Sequence, residues 1–438
     1  MLKEDEKILI LEKIKRFFSN NRFNYILFFC TYAKNIGFYF VHFFSKKKLK
    51  FFYGIKIILK DIYSSSYYES MYLKFPNKKL INYKSIIVSW GFRENFSKDG
   101  IFYDKILNSN SKKIKDNLWF IIYLDKKPPK KFKNNIILLI PYKKKKFNFI
   151  FFLKNLFRSI LNFKFYSLVF NLQLLSAFNT FAQSSNFFFK KLLKKELKFI
   201  FMPYEAQPFQ NLFFLSAKKI SKKILTIGYI HSPPEAFPVQ SIKKYGSPDK
   251  IILNGVDQIF CYKKFLGWKK SNILNLPSIR FKQDSKVQNR NNIYLPYTVS
   301  NRYEVIRNLE YLYFEKNVDI KNFKIKAHPH KKNSKETIKF IQEIKNIKKI
   351  NINKKQNKKI SIFIGASGAV VEFLERGVEA IHISDNPVTD FYSSRLYPNI
   401  KVKNIKQNIF GYSLPKKKYL LNLGNRNTSL NGYIKKVI

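Results

Sequence analysis

Apolar and polar positions along this chain follow two patterns. Up to Phe75-Pro76-Asn77 clusters of lysine alternate with clusters of Phe and Ile, which predicts a helical, basic and aromatic region over 1–76. From Lys84 onward short unbroken apolar runs stand between longer polar stretches. The runs at 86–90, 118–124, 136–140, 166–171, 198–202, 224–230 and 258–262 read as strands buried on both faces, and their spacing fits βαβ units on a mostly parallel sheet. The segment 278–292 is polar and aperiodic, which marks a linker. A second alternation follows, with strands at 293–295, 323–327, 347–350, 360–364 and 378–383 and helices at 302–316, 334–345 and 367–376. The expected architecture is α/β: two Rossmann-like domains, 77–280 and 290–410, facing across a cleft, with 411–438 as a tail returning across the first. No repeat of solenoid length is present.

Composition narrows the class. The 438 residues are 45% apolar, enough for two cores. The two cysteines, Cys30 and Cys261, lie far apart in apolar runs, the pattern of a reduced protein with no structural disulfide and no zinc site. Against 28 acidic residues stand 83 basic ones, for a net charge of +55, which ordinarily points to a polyanion. Lys, Asn, Ile and Phe are enriched everywhere, however, as AT-rich coding produces. What remains specific is local: Lys46–Lys48, Lys143–Lys146 and Lys190-Lys191 flank Phe-rich runs and suit peripheral contact with an anionic membrane surface. The segment 23–44 is interrupted by Asn24, Lys34, Asn35 and His42, which disfavours a membrane span, and the first residues do not follow the order of a secretory signal. A cytoplasmic protein at the inner face of the membrane is expected.

The strand 360–364 leads into the turn Gly365-Ala366-Ser367-Gly368 and a helix beginning at Ala369. Open α/β sheets bind ligands at the carboxyl ends of their strands, and helix N–H groups there attract phosphate. Gly365, Ser367, Gly368 and Ala369 are therefore candidate phosphate contacts, with Ser367 at the expected N-cap. Glu372 either reaches ribose or donor hydroxyls or faces solvent. His328, before Pro329 at the end of another strand and near His330, can neutralise charge on a leaving phosphate. In the first half, Tyr204-Glu205-Ala206-Gln207-Pro208 closes one strand and Tyr229-Ile230-His231-Ser232 the next. Glu205 is the first choice for a base that deprotonates an acceptor hydroxyl and His231 the second, with Glu94, Asp99 and Glu235 as further carboxylates. Arg93 and Glu94, after Trp90-Gly91, offer an acceptor-side surface, and the polar stretch 385–394 is placed to lie near the ligand.

With His328-Pro329 and the Gly365-Ala366-Ser367-Gly368 turn so placed, residues 84–410 resemble the two-Rossmann-domain (GT-B type) glycosyltransferases. The likeness is to bacterial capsule and surface-carbohydrate enzymes of the polysialyltransferase-like and glycerophosphotransferase-like kinds. It implies that His328 and Ser367 contact a nucleotide-sugar donor's phosphate, that the acceptor is a surface polysaccharide or lipid-linked glycan, and that the donor is a substrate with no separate cofactor. The turn carries one serine where the sialyl type tends to carry a Ser-Ser or Ser-Thr pair, so a CMP-linked donor is not specified. No Asp-x-Asp is evident, and the expectation is metal-independent transfer with inversion. Two other readings stay open: a nucleotide-sugar 2-epimerase of the same architecture, and a basic nucleic-acid-binding protein, although no specific nucleic-acid module is recognisable.

Overall fold

Ile86, Ile87 and Val88, like Leu118 to Ile122 and Ile136 to Leu139, are closed to solvent on both sides of their strands. Such runs can only lie in the interior of a covered sheet. The computed structural model describes residues 4–20, 67–68, 71–141, 146–150, 153, 177–283, 291–349 and 360–437, less 113–115, 126, 148, 298, 300, 317, 330 and 386–389. The expected strand at 166–171 and the clusters at Lys46–Lys48 and Lys143–Lys145 fall outside the described residues, as do 23–44 and His330.

The larger sheet contains β1 (Met71–Lys74), β2 (Ser85–Gly91), β3 (Asn117–Tyr123), β4 (Ile136–Pro141), β5 (Phe199–Pro203), β6 (Leu225–Tyr229), β7 (Lys250–Leu253) and β8 (Ile273–Asn275). Their order is β8-β7-β6-β5-β2-β3-β4-β1, parallel throughout except for the antiparallel edge strand β1. The chain steps outward from β2 through β3 to β4, then returns to β5 and steps outward the other way. The boundary between β2 and β5 is therefore a topological switch point, where the loops after the two strands part and leave a crevice.

The smaller sheet contains β9 (Asn292–Tyr294), β10 (Lys324–Lys326), β11 (Ile360–Ile364), β12 (Glu379–Ile383), β13 (Lys401–Lys406) and β14 (Ile409–Ser413). Its order is β10-β9-β11-β12-β14-β13; the first four strands are parallel, and β14 and β13 return antiparallel. A second switch point lies between β9 and β11. The α-helices whose ends lie among the described residues are α1 (Glu4–Asn20), α2 (Ala177–Lys190), α3 (Pro208–Ile220), α4 (Val256–Lys264), α5 (Arg302–Phe314), α6 (Lys335–Lys349), α7 (Ala369–Glu375) and α8 (Leu430–Val437). None of the described helices is long and apolar enough to cross a membrane. On α2, Phe187 is 60% exposed and the Lys191 ammonium lies 4.7 Å from its ring.

Two expected strands are helical. Residues 258–262 belong to α4, whose buried positions Asp257, Gln258, Cys261 and Tyr262 follow helical rather than strand spacing. The strand lies just upstream, in the four residues of β7. Ile347 belongs to α6, where Phe340, Ile344 and Ile347 recur on one face and enter the core. The β13–β14 hairpin was not anticipated, because its lysine-rich outer strand is mostly solvated.

One apolar core joins the two sheets. It runs from Ile10, Leu11 and Ile14 of α1, through one face of the larger sheet and α3, to Phe363, Val370, Tyr392 and Tyr412. The C-terminal segment fastens it. Glu375 accepts the amides of Lys418, Leu420 (2.6 Å) and Leu421 (2.9 Å), and a Cβ on Gly255 would stand 2.2 Å from the Leu420 oxygen, so this crossing requires glycine. Beyond it α8 covers the opposite face of the larger sheet, where Tyr433 meets Tyr229 edge to face at 5.5 Å.

Candidate functional site

The loop after β5 is rigid because one side chain organises it. Gln210, in the first turn of α3, accepts the amides of Glu205 (2.9 Å) and Gln207 (3.0 Å) and donates to the Pro203 carbonyl (2.6 Å). Pro208, whose ring suits the first helical position, starts α3. This presents the Glu205 carboxylate to the end of β6, where its Oε1 meets His231 Nε2 at 3.2 Å, while Gln207 Nε2 donates to Oε2 at 2.6 Å. Glu205 is 16% exposed at its side chain and His231 5%. Burial pushes the Glu205 carboxyl up, but the hydrogen bond and charge of His231, the Gln207 amide and Arg280 together outweigh it and hold the group below the usual carboxylate range. Nε2 of His231 is used by Glu205, whereas its buried Nδ1 has no hydrogen-bond partner. A buried polar atom left this way calls for a ligand or a water. The Trp90 ring, at the end of β2, lies 6.2 Å from the imidazole, so the residues that close β2, β5 and β6 converge at the first switch point.

Glu235 adds a second acid to this rim. Burial, helped by the charge of Glu205 and opposed by a hydrogen bond from Gln240, raises its carboxyl to about 7. Between the usual value of 4.5 and about 7 the folded protein holds a proton that the unfolded chain has released. The contribution of this group to stability is therefore fully present below its unfolded value and is lost as pH rises through about 7. Glu235→Gln keeps the neutral shape at every pH. Its stability relative to wild type should climb by up to about 3 kcal/mol between about pH 5 and about pH 8 in urea denaturation, and a difference that does not change with pH would refute the assignment.

Arg93 and Glu94 lie on the same edge but away from the Glu205–His231 pair. With Phe92 and Asp125 they line an open depression of about 670 Å³ beyond β2 and β3. The Arg93 amide is fixed by Asp125 at 2.5 Å, and Glu94 pairs with Lys105 at 2.6 Å in solvent.

At the second switch point Gly365 takes a φ of +59°, and a Cβ there would stand 3.2 Å from Pro296 Cγ, between the loops after β9 and β12. The turn is braced from below by His382, a residue the sequence analysis passed over. Its Nε2 donates to the Gly365 carbonyl at 3.0 Å and its Nδ1 meets the Tyr412 hydroxyl at 3.1 Å. Burial holds this imidazole below its ordinary value. The Tyr412 oxygen already accepts the Tyr392 amide at 3.1 Å, so its own proton goes to His382 Nδ1, and the tautomer is fixed by its neighbours.

Ser367 is not the N-cap. Gly368 holds that position without any side-chain cap bond, which leaves the half-buried Ser367 hydroxyl uncommitted. The helix that follows has seven residues, so few peptide dipoles add up at its start, and the backbone turn and the Ser367 hydroxyl matter more than the helix field expected from sequence. Ala369 is the first helical residue. Glu372 is engaged with Arg376 at 2.9 Å, and Arg376 also donates to the Lys282 carbonyl at 3.1 Å, tying α7 to the segment between the sheets. His328 stands just past β10, half-buried, with its ring edge-on to Tyr297 at 5.3 Å. Strand β9 lies between β10 and β11, so His328 and Ser367 share a rim but follow strands about 10 Å apart, two strand spacings.

The two rims meet. A Cβ on Gly368 would lie 3.3 Å from Pro233 Cγ; Tyr392 donates to the Pro234 carbonyl at 2.9 Å and Tyr397 to the Glu235 carbonyl at 2.5 Å. The loop carrying His231 thus packs against the turn carrying Ser367, in contact rather than across open space. Among the described residues no group of three His, Cys, Asp or Glu side chains is arranged to hold a metal ion. No protein-family model matches the chain, and no curated protein matches it.

Proposed function

We propose that the chain is a glycosyltransferase of the two-Rossmann-domain GT-B type, moving a sugar from a nucleotide-sugar to a glycan or lipid-linked acceptor. One observation carries the reading: the carboxyl ends of two α/β sheets, each at its switch point, come together so that the loop leading from a carboxylate–imidazole pair packs, through Pro233, against a glycine-rich turn with an uncommitted serine hydroxyl. A pair of this kind suits a base, and the turn suits a phosphate. In this mechanism Glu205 takes the proton of an acceptor hydroxyl while the His231 N–H holds the carboxylate in place. The acceptor oxygen bonds to the anomeric carbon, the bond from that carbon to the phosphate oxygen breaks, and the nucleotide leaves with the electron pair. Ser367 and the Gly365–Gly368 turn receive the leaving phosphate, and His328, farther along the rim, meets another part of the donor.

The test is a thermal-shift panel of CMP-, UDP-, GDP- and dTDP-sugars followed by nucleotide release. A ligand that binds only the native state raises apparent stability by RT ln(1 + [L]/Kd), so at about 100 Kd one member should contribute about 2.7 kcal/mol. Release of nucleotide only in the presence of a glycan acceptor is expected. Release without acceptor would point to the epimerase instead, and no stabilisation by any member would refute the reading.

A further inference from the structure

The first turn of α1 is fastened to the loop that follows β12. Glu4 Oε1 accepts the Ser394 amide at 3.2 Å and its hydroxyl at 3.4 Å, Asp5 pairs with Arg395, and the Lys7 ammonium donates to the Phe391 carbonyl. Lys7 is 0% exposed; its Nζ stands 4.8 Å from the Phe391 ring and 5.8 Å from that of Phe237, a residue that follows the His231 loop. Lysine is rarely buried so completely, and a well-packed apolar residue would hold the helix as well or better. What distinguishes the amine is what it faces: Asp390 from the loop, Glu4 from its own helix and His382 from β12.

Asp390 is the link to the candidate site. Its Oδ1 accepts the Ser384 hydroxyl at 2.6 Å and its Oδ2 the Asp385 amide at 2.8 Å, which fixes the two residues that leave β12. Asp385 in turn packs with its Cβ 3.4 Å from the side-chain position of Gly365 and accepts the Asn301 amide at 2.7 Å.

We propose that Lys7 is a positioning residue for this rim: its buried ammonium fixes the Phe391 carbonyl and, through that peptide, the neighbouring Asp390, whose carboxylate ties Ser384 and Asp385 against the Gly365 turn, and α1 is thereby a strap that supports the ligand site from outside the smaller sheet. The N-terminal helix is then part of the site's framework. Burial lowers the ammonium to about 7, with Asp390 and Glu4 opposing, so the strap loses its charge as pH rises through that value. Burial holds the His382 imidazole below its ordinary value, and the Asp5–Arg395 pair fastens the same helix turn alongside.

Amide hydrogen exchange tests the proposal without any ligand. At about pH 6, where Lys7 is charged, the Asp385 amide should exchange about tenfold faster or more in Lys7→Met than in wild type, while amides of β5 and β6 keep their protection and Tm does not fall. In wild type the protection of Asp385, corrected for the intrinsic rate, should drop between about pH 6 and about pH 8, and Lys7→Arg, charged throughout, should remove that drop. Unchanged Asp385 exchange in Lys7→Met, or acceleration spread evenly over both sheets, would overturn the proposal. If neither variant folds, the wild-type profile decides, and a flat one overturns it. The consequence for donor binding rests on the function proposed above and is read separately, as weaker stabilisation of Lys7→Met by the nucleotide-sugar that stabilises wild type. A wild-type protein stabilised by none of them defeats that reading and leaves the exchange result to judge Lys7.

Discussion

Glu205→Gln should lower turnover about 10³-fold and leave nucleotide-dependent stabilisation within about twofold of wild type. The amide keeps the shape of the side chain and can hold Gln207 and His231 nearby, but it cannot take a proton from an acceptor hydroxyl, and general-base catalysis commonly supplies about 10²- to 10⁴-fold. The loss belongs in kcat and kcat/KM together, because the interaction is made only as the proton moves. His231→Asn should behave differently. The imidazole is the largest of the influences that keep the Glu205 carboxyl below its usual range against the pull of burial. Without it the carboxyl rises, and the acid limb of the kcat/KM profile should move to higher pH while activity on the plateau falls less than in Glu205→Gln. Full activity in folded Glu205→Gln, measured by acceptor-dependent nucleotide release, would remove Glu205 from the mechanism.

Strands β2 to β6 of the larger sheet were legible because burial on both faces leaves an unbroken apolar run, as in Leu118 to Ile122, whereas β1 lies in the stretch up to residue 76 expected to be helical. The β11–turn–α7–β12 unit was legible for a related reason: Gly365 and Gly377 punctuate it, and both take positive φ. Where an apolar run was short, pattern failed. Cys261 and Tyr262 on α4 look like a strand until the whole helix is in view, and β7 and β8 are too short to stand out. The proximity of Glu205 to His231 followed from their positions at neighbouring strand ends, since parallel strands carry their closing residues to one edge. Ser367 does not cap α7, because Gly368, itself in a helical conformation, stands between it and the first helical residue and no side chain closes the helix start. His382, Lys7 and the raised Glu235 were invisible for one physical reason. Each owes its character to burial against residues distant in sequence, and local pattern carries no record of that burial.

Ser367→Ala and His328→Ala should each reduce kcat/KM about 10²-fold, for Ser367 the scale of removing one donor from charge developing on a leaving group and for His328 that of losing a charged contact to the donor. The double variant separates two arrangements. If both side chains hold the same phosphate oxygen, losing the first partly disables the second and the double loss falls short of the product. The fold argues otherwise: β9 separates their strands by about 10 Å, a distance at which substitutions usually act independently. The product, a loss of about 10⁴-fold in kcat/KM, is therefore expected from independent contacts to two parts of one donor. Ser367 sits on the turn that touches Pro233, two residues past His231, and its loss should therefore weaken the chemical step more than donor binding. His328, beside Tyr297 and farther from that pair, should weaken donor binding more than the chemical step. Single-turnover rates set against thermal-shift affinities measure the two effects apart, and a reversal of this order would exchange the roles of the two ends of the rim.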